Sequence, residues 1–179
     1  FTAVAEQGGL PVLLYNVAIR TGCDLLPETV ARLREHPAII GIKEARGDRE
    51  RISALAELVR EDFVYLSGDD ATAGEAMLAG AAGTISVVAN LAPRAFRALC
   101  DAAIGGDRVA AARCHAALEP LLQALGCAPN PIAVKAGLPP LGLGLGLPRL
   151  PLVELDDGPD RARLHQALSS LASLTTAAG

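Results

Sequence analysis

A chain of 179 residues can hold one sizeable core, within the ~100–200 residues usual for a domain, and its formal charge of −4 supplies no basic stripe for nucleic acid. It has five aromatic side chains and no Trp. No apolar run reaches the ~18–20 residues of a membrane span, and Phe1-Thr2-Ala3-Val4 lacks the basic and apolar regions of a signal peptide.

Residues 11–16, PVLLYN, follow Gly8-Gly9 and read as a buried strand. Pro27 to Glu35 has a helical pattern, with Pro27 suited to the first turn. Residues 39–43, IIGIK, form a second β-branched run, and 49–61 an amphipathic helix with Ile52, Leu55, Ala56, Leu58 and Val59 on one side. Residues 63–66, FVYL, predict a third strand, Ser67-Gly68-Asp69-Asp70 a turn and helix cap, and 71–80 an Ala-rich helix. Residues 83–88, GTISVV, predict a fourth strand, and Pro93 opens a helix to about Ile104.

Strand and helix alternate four times, and each strand is a continuous apolar run. That pattern predicts a parallel sheet covered on its faces. Gly105-Gly106 breaks it. Beyond lie a long helix over 107–125, a helix starting at Asn130-Pro131 with Asn130 as its cap, and a helix over 159–174. The chain therefore divides into an α/β part, 1–106, and a helical part, 107–179. The Leu-Gly repeat at 141–147 is a connector. A phosphate loop should follow a strand and open a helix, and this repeat lies before Pro148-Arg149-Leu150-Pro151.

Cys23, Cys100, Cys114 and Cys127 show no metal-binding spacing. They read as reduced thiols, which fits a cytoplasmic setting. Fourteen of the sixteen basic residues are Arg, and only Lys43 and Lys135 are Lys. A site that requires an amine rather than a guanidinium would explain a lysine here. Lys43 ends an apolar strand, and catalytic groups of parallel sheets and barrels project from strand carboxyl ends. Desolvation there disfavours an ammonium, and a neutral amine can attack a ketone to form a Schiff base. The competing reading is a surface lysine in an ion pair. Tyr15 also ends a strand and reads either as a proton shuttle or as a packed tyrosine. Arg20, in the loop beyond, reads as a carboxylate clamp or an ordinary exposed Arg. Asp69 and Asp70 suit helix capping better than metal binding.

Tyr15-Asn16-Val17-Ala18-Ile19-Arg20-Thr21-Gly22 resembles the Y-N-V-P-x-R-T-G segment of the dihydrodipicolinate synthase family. Gly41-Ile42-Lys43-Glu44-Ala45 resembles the G-I-K-E-A around that family's Schiff-base lysine. Ser67-Gly68-Asp69-Asp70, Gly83-Thr84-Ile85-Ser86-Val87, Asn130-Pro131-Ile132-Ala133-Val134-Lys135 and Arg149-Leu150-Pro151-Leu152 resemble S-G-D-D, G-x-I-S-V, N-P-I-P-V-K and R-L-P-L, in order. Ala18 and Ala133 replace the usual prolines.

The resemblance implies the C-terminal half of a (β/α)8 TIM barrel, four βα units, followed by a three-helix domain. It implies a Schiff-base lyase condensing pyruvate with L-aspartate-4-semialdehyde in lysine and diaminopimelate biosynthesis. Lys43 would form the imine and Tyr15 relay protons. Arg20 would bind the semialdehyde carboxylate, and Gly68 and Ile85 would line the pyruvate pocket. It implies no separate organic cofactor and no metal, a homo-oligomer (dimer or tetramer) when full length, and no nucleic-acid or membrane partner. The family's first barrel half, with a pyruvate-contacting Thr-Thr-Gly-Glu segment, has no counterpart here, so the chain is expected to be a truncated piece, inactive alone. Two other readings stand beside this one: a sister lyase such as N-acetylneuraminate lyase or a keto-deoxy sugar acid aldolase, and an inactive remnant or assembly module.

Overall fold

A computed structural model describes residues 1–144 and 146–176, with side chains to residue 171 at its C-terminal end. The expectation for 141–147 thus falls partly outside the described residues, at Leu145. The chain forms two compact units. One comprises Phe1–Ser86 with Cys100–Arg108, the other Val87–Leu99 with Val109–Gly179.

The first unit is built on a four-stranded parallel sheet in sequential order: β1 (Val12–Asn16), β2 (Ile39–Glu44), β3 (Val64–Ser67) and β4 (Gly83–Thr84). A short helix α1 (Thr2–Gln7) precedes β1, and a one-turn helix α2 (Ala18–Thr21) follows it. The crossovers are α3 (Pro27–Leu33), α4 (Arg49–Ala56) and α5 (Ala73–Leu78). Pro27 fixes the first turn of α3, and the Asp48 carboxylate caps α4 by accepting from the Arg51 N–H at 3.0 Å. Four βα units in one parallel sheet is the α/β, half-barrel architecture the sequence implied.

Burial alternates along the strands. Leu14, Asn16, Ile42, Glu44, Tyr65 and Ser67 are buried, whereas Tyr15, Lys43 and Leu66 between them are partly or largely exposed. Successive strand side chains point to opposite faces, so the sheet is closed on one face and partly open on the other. The expectation of cover on both faces is corrected. Continuous apolar runs such as Val12-Leu13-Leu14 suit an interior barrel face as well as a helix-covered one, so sequence cannot tell which face this chain leaves open.

Helices α1 and α2 were not expected, and the ends of several other elements differ from expectation. β4 ends at Thr84 rather than 88, because β3, its one partner among the described residues, ends at Ser67. After one more ladder-like bond, Ile85 N–H to Ser67 O at 2.9 Å, the chain coils into a 3-10 turn over Val88–Asn90. α4 stops at Ala56, five residues early, where tighter bonds and an antiparallel Arg60–Phe63 bridge reverse the chain. α5 covers 73–78 rather than 71–80, because Asp69 closes a side-chain turn ahead of it. The helix expected from Asn130 starts at Ile132, with no side-chain cap bond.

The second unit carries α7 (Arg108–Leu125, whose first residue belongs to the other unit), α8 (Ile132–Gly137) and α9 (Pro159–Thr176); α6 (Pro93–Ile104) contributes to both units. Leu118, Leu121, Val134, Leu164 and Leu168 are buried there. The long helices match the expected 107–125 and 159–174 within two residues. The Gly-rich connector is pinned by Lys135, whose Nζ donates to Gly146 O and Leu147 O. Among the described residues no helix is long and apolar enough to cross a membrane. Among the described residues none of the four cysteines forms a disulfide.

Candidate active site

Parallel register aligns the strand ends in two rows. Tyr15 pairs with Lys43, Lys43 with Leu66, and Leu66 with Gly83. One residue on, Asn16, Glu44, Ser67 and Thr84 form the next row. The period of two sends the first row to the open face and the second to the closed face.

On the open face the Lys43 Nζ lies over the Tyr15 ring, 4.3 Å from its centroid. Such a contact contributes about 0.5–1 kcal/mol at an exposed site. Tyr15 is 48% exposed, so both groups are open to a small molecule. Gly68 follows β3, and its N–H donates to Glu44 O at 2.7 Å. A Cβ at Gly68 would meet Lys43 Cε at 2.8 Å and Cγ at 3.2 Å. The bare glycine is therefore a shelf along which the lysine stem lies.

Arg20 is exposed on α2, not in a loop as expected; Gly22, at φ 68°, closes that turn. Ile85 follows β4 and is 46% exposed. Thus Lys43 lies against Tyr15 through its Nζ and beside Gly68 through its stem. Arg20 and Ile85 stand beyond β1 and β4, and neither shares a hydrogen bond with Lys43 among the described residues. Asp69 spends its carboxylate on the Thr72 N–H at 3.1 Å and the Thr72 hydroxyl at 2.6 Å, a local turn as expected, but the N-cap of α5 is Thr72 rather than Asp69 or Asp70 and forms no side-chain cap bond.

The closed face holds a polar cluster that sequence reasoning missed. Asn16 Nδ2 donates to Asp24 Oδ1 at 2.8 Å and to both Glu44 oxygens at 3.0 and 2.9 Å, while its Oδ1 accepts from Leu25 N–H. Arg51 reaches Asp24 Oδ2 at 2.6 Å, Leu25 O at 2.8 Å and Glu44 Oε2 at 3.3 Å. Arg46 donates its N–H to Glu44 Oε1 and pairs with Asp24 and Asp48 through its guanidinium. Glu44 has no solvent exposure. Burial pushes its carboxyl upward against the opposing pull of the Asn16 amide, the Arg46 N–H and the Arg51 charge. Asp24 is held low, chiefly by the Asn16 amide and despite partial burial, with Arg51 and Arg46 assisting. One signal was legible: Asn and Glu each follow a strand-end candidate, so alternation sends both to the other face.

The dihydrodipicolinate synthetase family model matches residues 1–171. The chain belongs to this family. It is 58% identical over 155 residues to the 4-hydroxy-tetrahydrodipicolinate synthase of Xanthomonas axonopodis pv. citri, covering 87% of this chain and 51% of that protein. It is 51% identical over 178 residues to the synthase of Xylella fastidiosa, covering 95% and 59%. Among solved structures it is similar to the chloride-inhibited dihydrodipicolinate synthase of Acinetobacter baumannii, complexed with pyruvate. That match has a TM-score of 0.91 and 43% identity over 96% of this chain and 58% of the other. The chain thus spans about half the length of the family members it matches.

Proposed function

We propose that this chain carries the lysine-bearing half of a 4-hydroxy-tetrahydrodipicolinate synthase, with Lys43 as the Schiff-base nucleophile. In this reading the Nζ lone pair attacks the keto carbon of pyruvate, and the Tyr15 hydroxyl passes a proton to the departing hydroxyl as the carbinolamine loses water. The imine draws electrons from the adjacent methyl group, which gives up a proton and becomes an enamine. That carbon then bonds to the aldehyde carbon of aspartate-4-semialdehyde, whose oxygen takes up a proton to become a hydroxyl while the imine with Lys43 re-forms. The semialdehyde's amino group next attacks the imine carbon, closing the ring and releasing Lys43, again with Tyr15 moving the proton.

The Arg20 fork suits the semialdehyde carboxylate, which favours the synthase over lyases whose electrophile is a neutral sugar. Gly68 and Ile85 would line the pyruvate pocket. The covalent imine is itself the electron sink, so the reading needs no metal or organic cofactor. Residues 1–106 act here as the barrel part and 107–179 as the helical domain of a cytoplasmic homo-oligomer, dimeric or tetrameric at full length.

The observation that carries this reading is the Lys43–Tyr15 contact beside side-chain-free Gly68. Borohydride reduction with pyruvate tests it. The chain is treated alone and mixed with the N-terminal half of the Xanthomonas relative, and with only two lysines the adduct maps unambiguously. A reduced pyruvate adduct on Lys43 is expected. A folded sample that takes no adduct in either arm, or takes it on Lys135, overturns the reading and leaves the remnant in its place.

A further inference from the structure

Two things set how Lys43 meets Tyr15: the face on which each lies and the stagger of β1 against β2. The ladder carries one irregularity at its start and is regular from Leu13 to Asn16. Pairing runs Val12 to Ile39 and then Leu13 to Gly41, so Ile40 has no partner and the register shifts within the first two residues. A slip of one residue would turn Lys43 to the closed face. A slip of two would keep its face but carry it about 6.6 Å along β1, beyond reach of the Tyr15 ring.

Directly behind the pair, Asn16 and Glu44 are register partners joined by two side-chain hydrogen bonds, and Arg51 ties Glu44 to Asp24 and Leu25. We propose that Asn16, Glu44 and Arg51 are positioning residues: their cluster locks β1 against β2 so that Tyr15 and Lys43, one residue away on the open face, stand opposite one another. The lock is specific because, among the described residues, every hydrogen-bond partner of the Glu44 carboxylate is a donor, even with the Asp24 carboxylate nearby. The Asn16 amide, the Arg46 N–H and the Arg51 guanidinium all point at its two oxygens. A neighbouring register would leave a carboxylate and a guanidinium buried without those partners, which is costly.

The inference rests on the reading of Lys43 and Tyr15 as the reacting pair, so its test keeps the two apart. Chain labelled with carbon-13 at the lysine ε position gives signals from Lys43 and Lys135 alone. The Tyr15 ring shifts the Lys43 signal upfield, and Tyr15→Leu identifies it. Asn16→Ala and Glu44→Gln are expected to abolish that shift in folded protein while leaving Lys135 in place. Glu44→Gln does so because the new amide NH2 confronts donors. Imine trapping slows on the order of 10- to 100-fold in both, the scale expected for a misplaced reacting group.

Phe63→Leu, at the opposite end of β3, serves as the control: it lowers stability and leaves the Lys43 shift intact. If Asn16→Ala and Glu44→Gln only lower the melting temperature, with shift and trapping rate as in the parent chain, the cluster is merely structural and the proposal fails. If the parent chain traps no pyruvate but its Lys43 shift still vanishes in both variants, the positioning proposal stands and the chemical reading falls.

Discussion

Gly68 shows how one missing atom can matter more to chemistry than to stability. In Gly68→Ala the new Cβ would sit 2.8 Å from Lys43 Cε and 3.2 Å from Glu44 O. The lysine stem can swing away cheaply, so the loss of stability should stay near 1 kcal/mol. The swing takes Nζ off the Tyr15 ring, so imine trapping should slow at least ~10-fold. A trapping rate equal to the parent's, with calorimetry showing a folded protein, would remove Gly68 from the site. Tyr65 offers a spectroscopic prediction. Burial, with the charges of Glu44, Asp69 and Asp48, pushes its hydroxyl up to about 12. A raised value means the folded state disfavours the phenolate, so stability from this group is complete below pH 10 and lost as pH climbs toward 12. Tyrosinate absorbance should show a late phase near pH 12 that Tyr65→Phe abolishes. Lys43 and Tyr15 were legible in sequence because each ends an apolar run, where a polar side chain is out of place. Arg51 was not. On a helix that reads as amphipathic it looks like a surface charge, and Asp24, the Leu25 carbonyl and Glu44, from two other segments, make its burial tolerable.

At the scale of elements, the sequence placed every strand of the sheet, yet the ends of several elements moved. β4 shortened for want of a ladder partner, and α4 ended early at the Arg60–Phe63 bridge. Both ends depend on a second segment, which periodicity within one window does not contain. α2 was missed altogether. At four residues it is too short for any helical period, and its stop signal, Gly22 in the left-handed conformation, looks in sequence like an ordinary loop glycine. The start of α4 is better determined. Asp48 accepts the Arg51 N–H at 3.0 Å, and this bond, with help from Arg46 and against some burial, holds its carboxyl below the ordinary value of 3.8. Replacing a capping Asp by Ala costs about 0.5–2 kcal/mol. With its side chain 44% exposed, the lower half of that range is expected. A lowered value gives stability that is present above the unfolded value and lost as pH falls through the folded one. The melting temperatures of the parent and Asp48→Ala should therefore differ at neutral pH and converge in acid below 3.8. A gap that persists unchanged into acid would assign the cap to packing instead of charge. Glu44 acts in the opposite sense. Its raised carboxyl withdraws stability as pH climbs past 4.5, so a parent protein tracked alone would mix two opposed slopes.

For the whole molecule, the open face decides what the chain can do by itself. Among the described residues β1 and β4 each pair on one side only, and an unpaired strand edge is a template for another strand. The row that carries Tyr15 and Lys43 faces away from the buried core, and the chain spans about half the length of its relatives. Four strands cannot enclose a barrel interior, which in this fold is packed with side chains from eight strands. Imine formation asks only for an amine, a nearby hydroxyl and pyruvate. Carbon–carbon bond formation asks more. The enamine must be shielded from water and the second substrate held against it, and orientation of that kind is worth several orders of magnitude in rate. Trapping and condensation should therefore separate. The 179-residue chain should take the pyruvate adduct on Lys43 slowly yet form product from pyruvate and aspartate-4-semialdehyde at less than about a hundredth of the rate of a full-length relative. Adding the N-terminal half of the Xanthomonas synthase should raise the two rates together, and an Arg20→Ala version of that pair should need far more semialdehyde while trapping pyruvate as before. If the chain alone condenses the two substrates as fast as the full-length relative, its open face is a complete active site and the half-site reading is wrong.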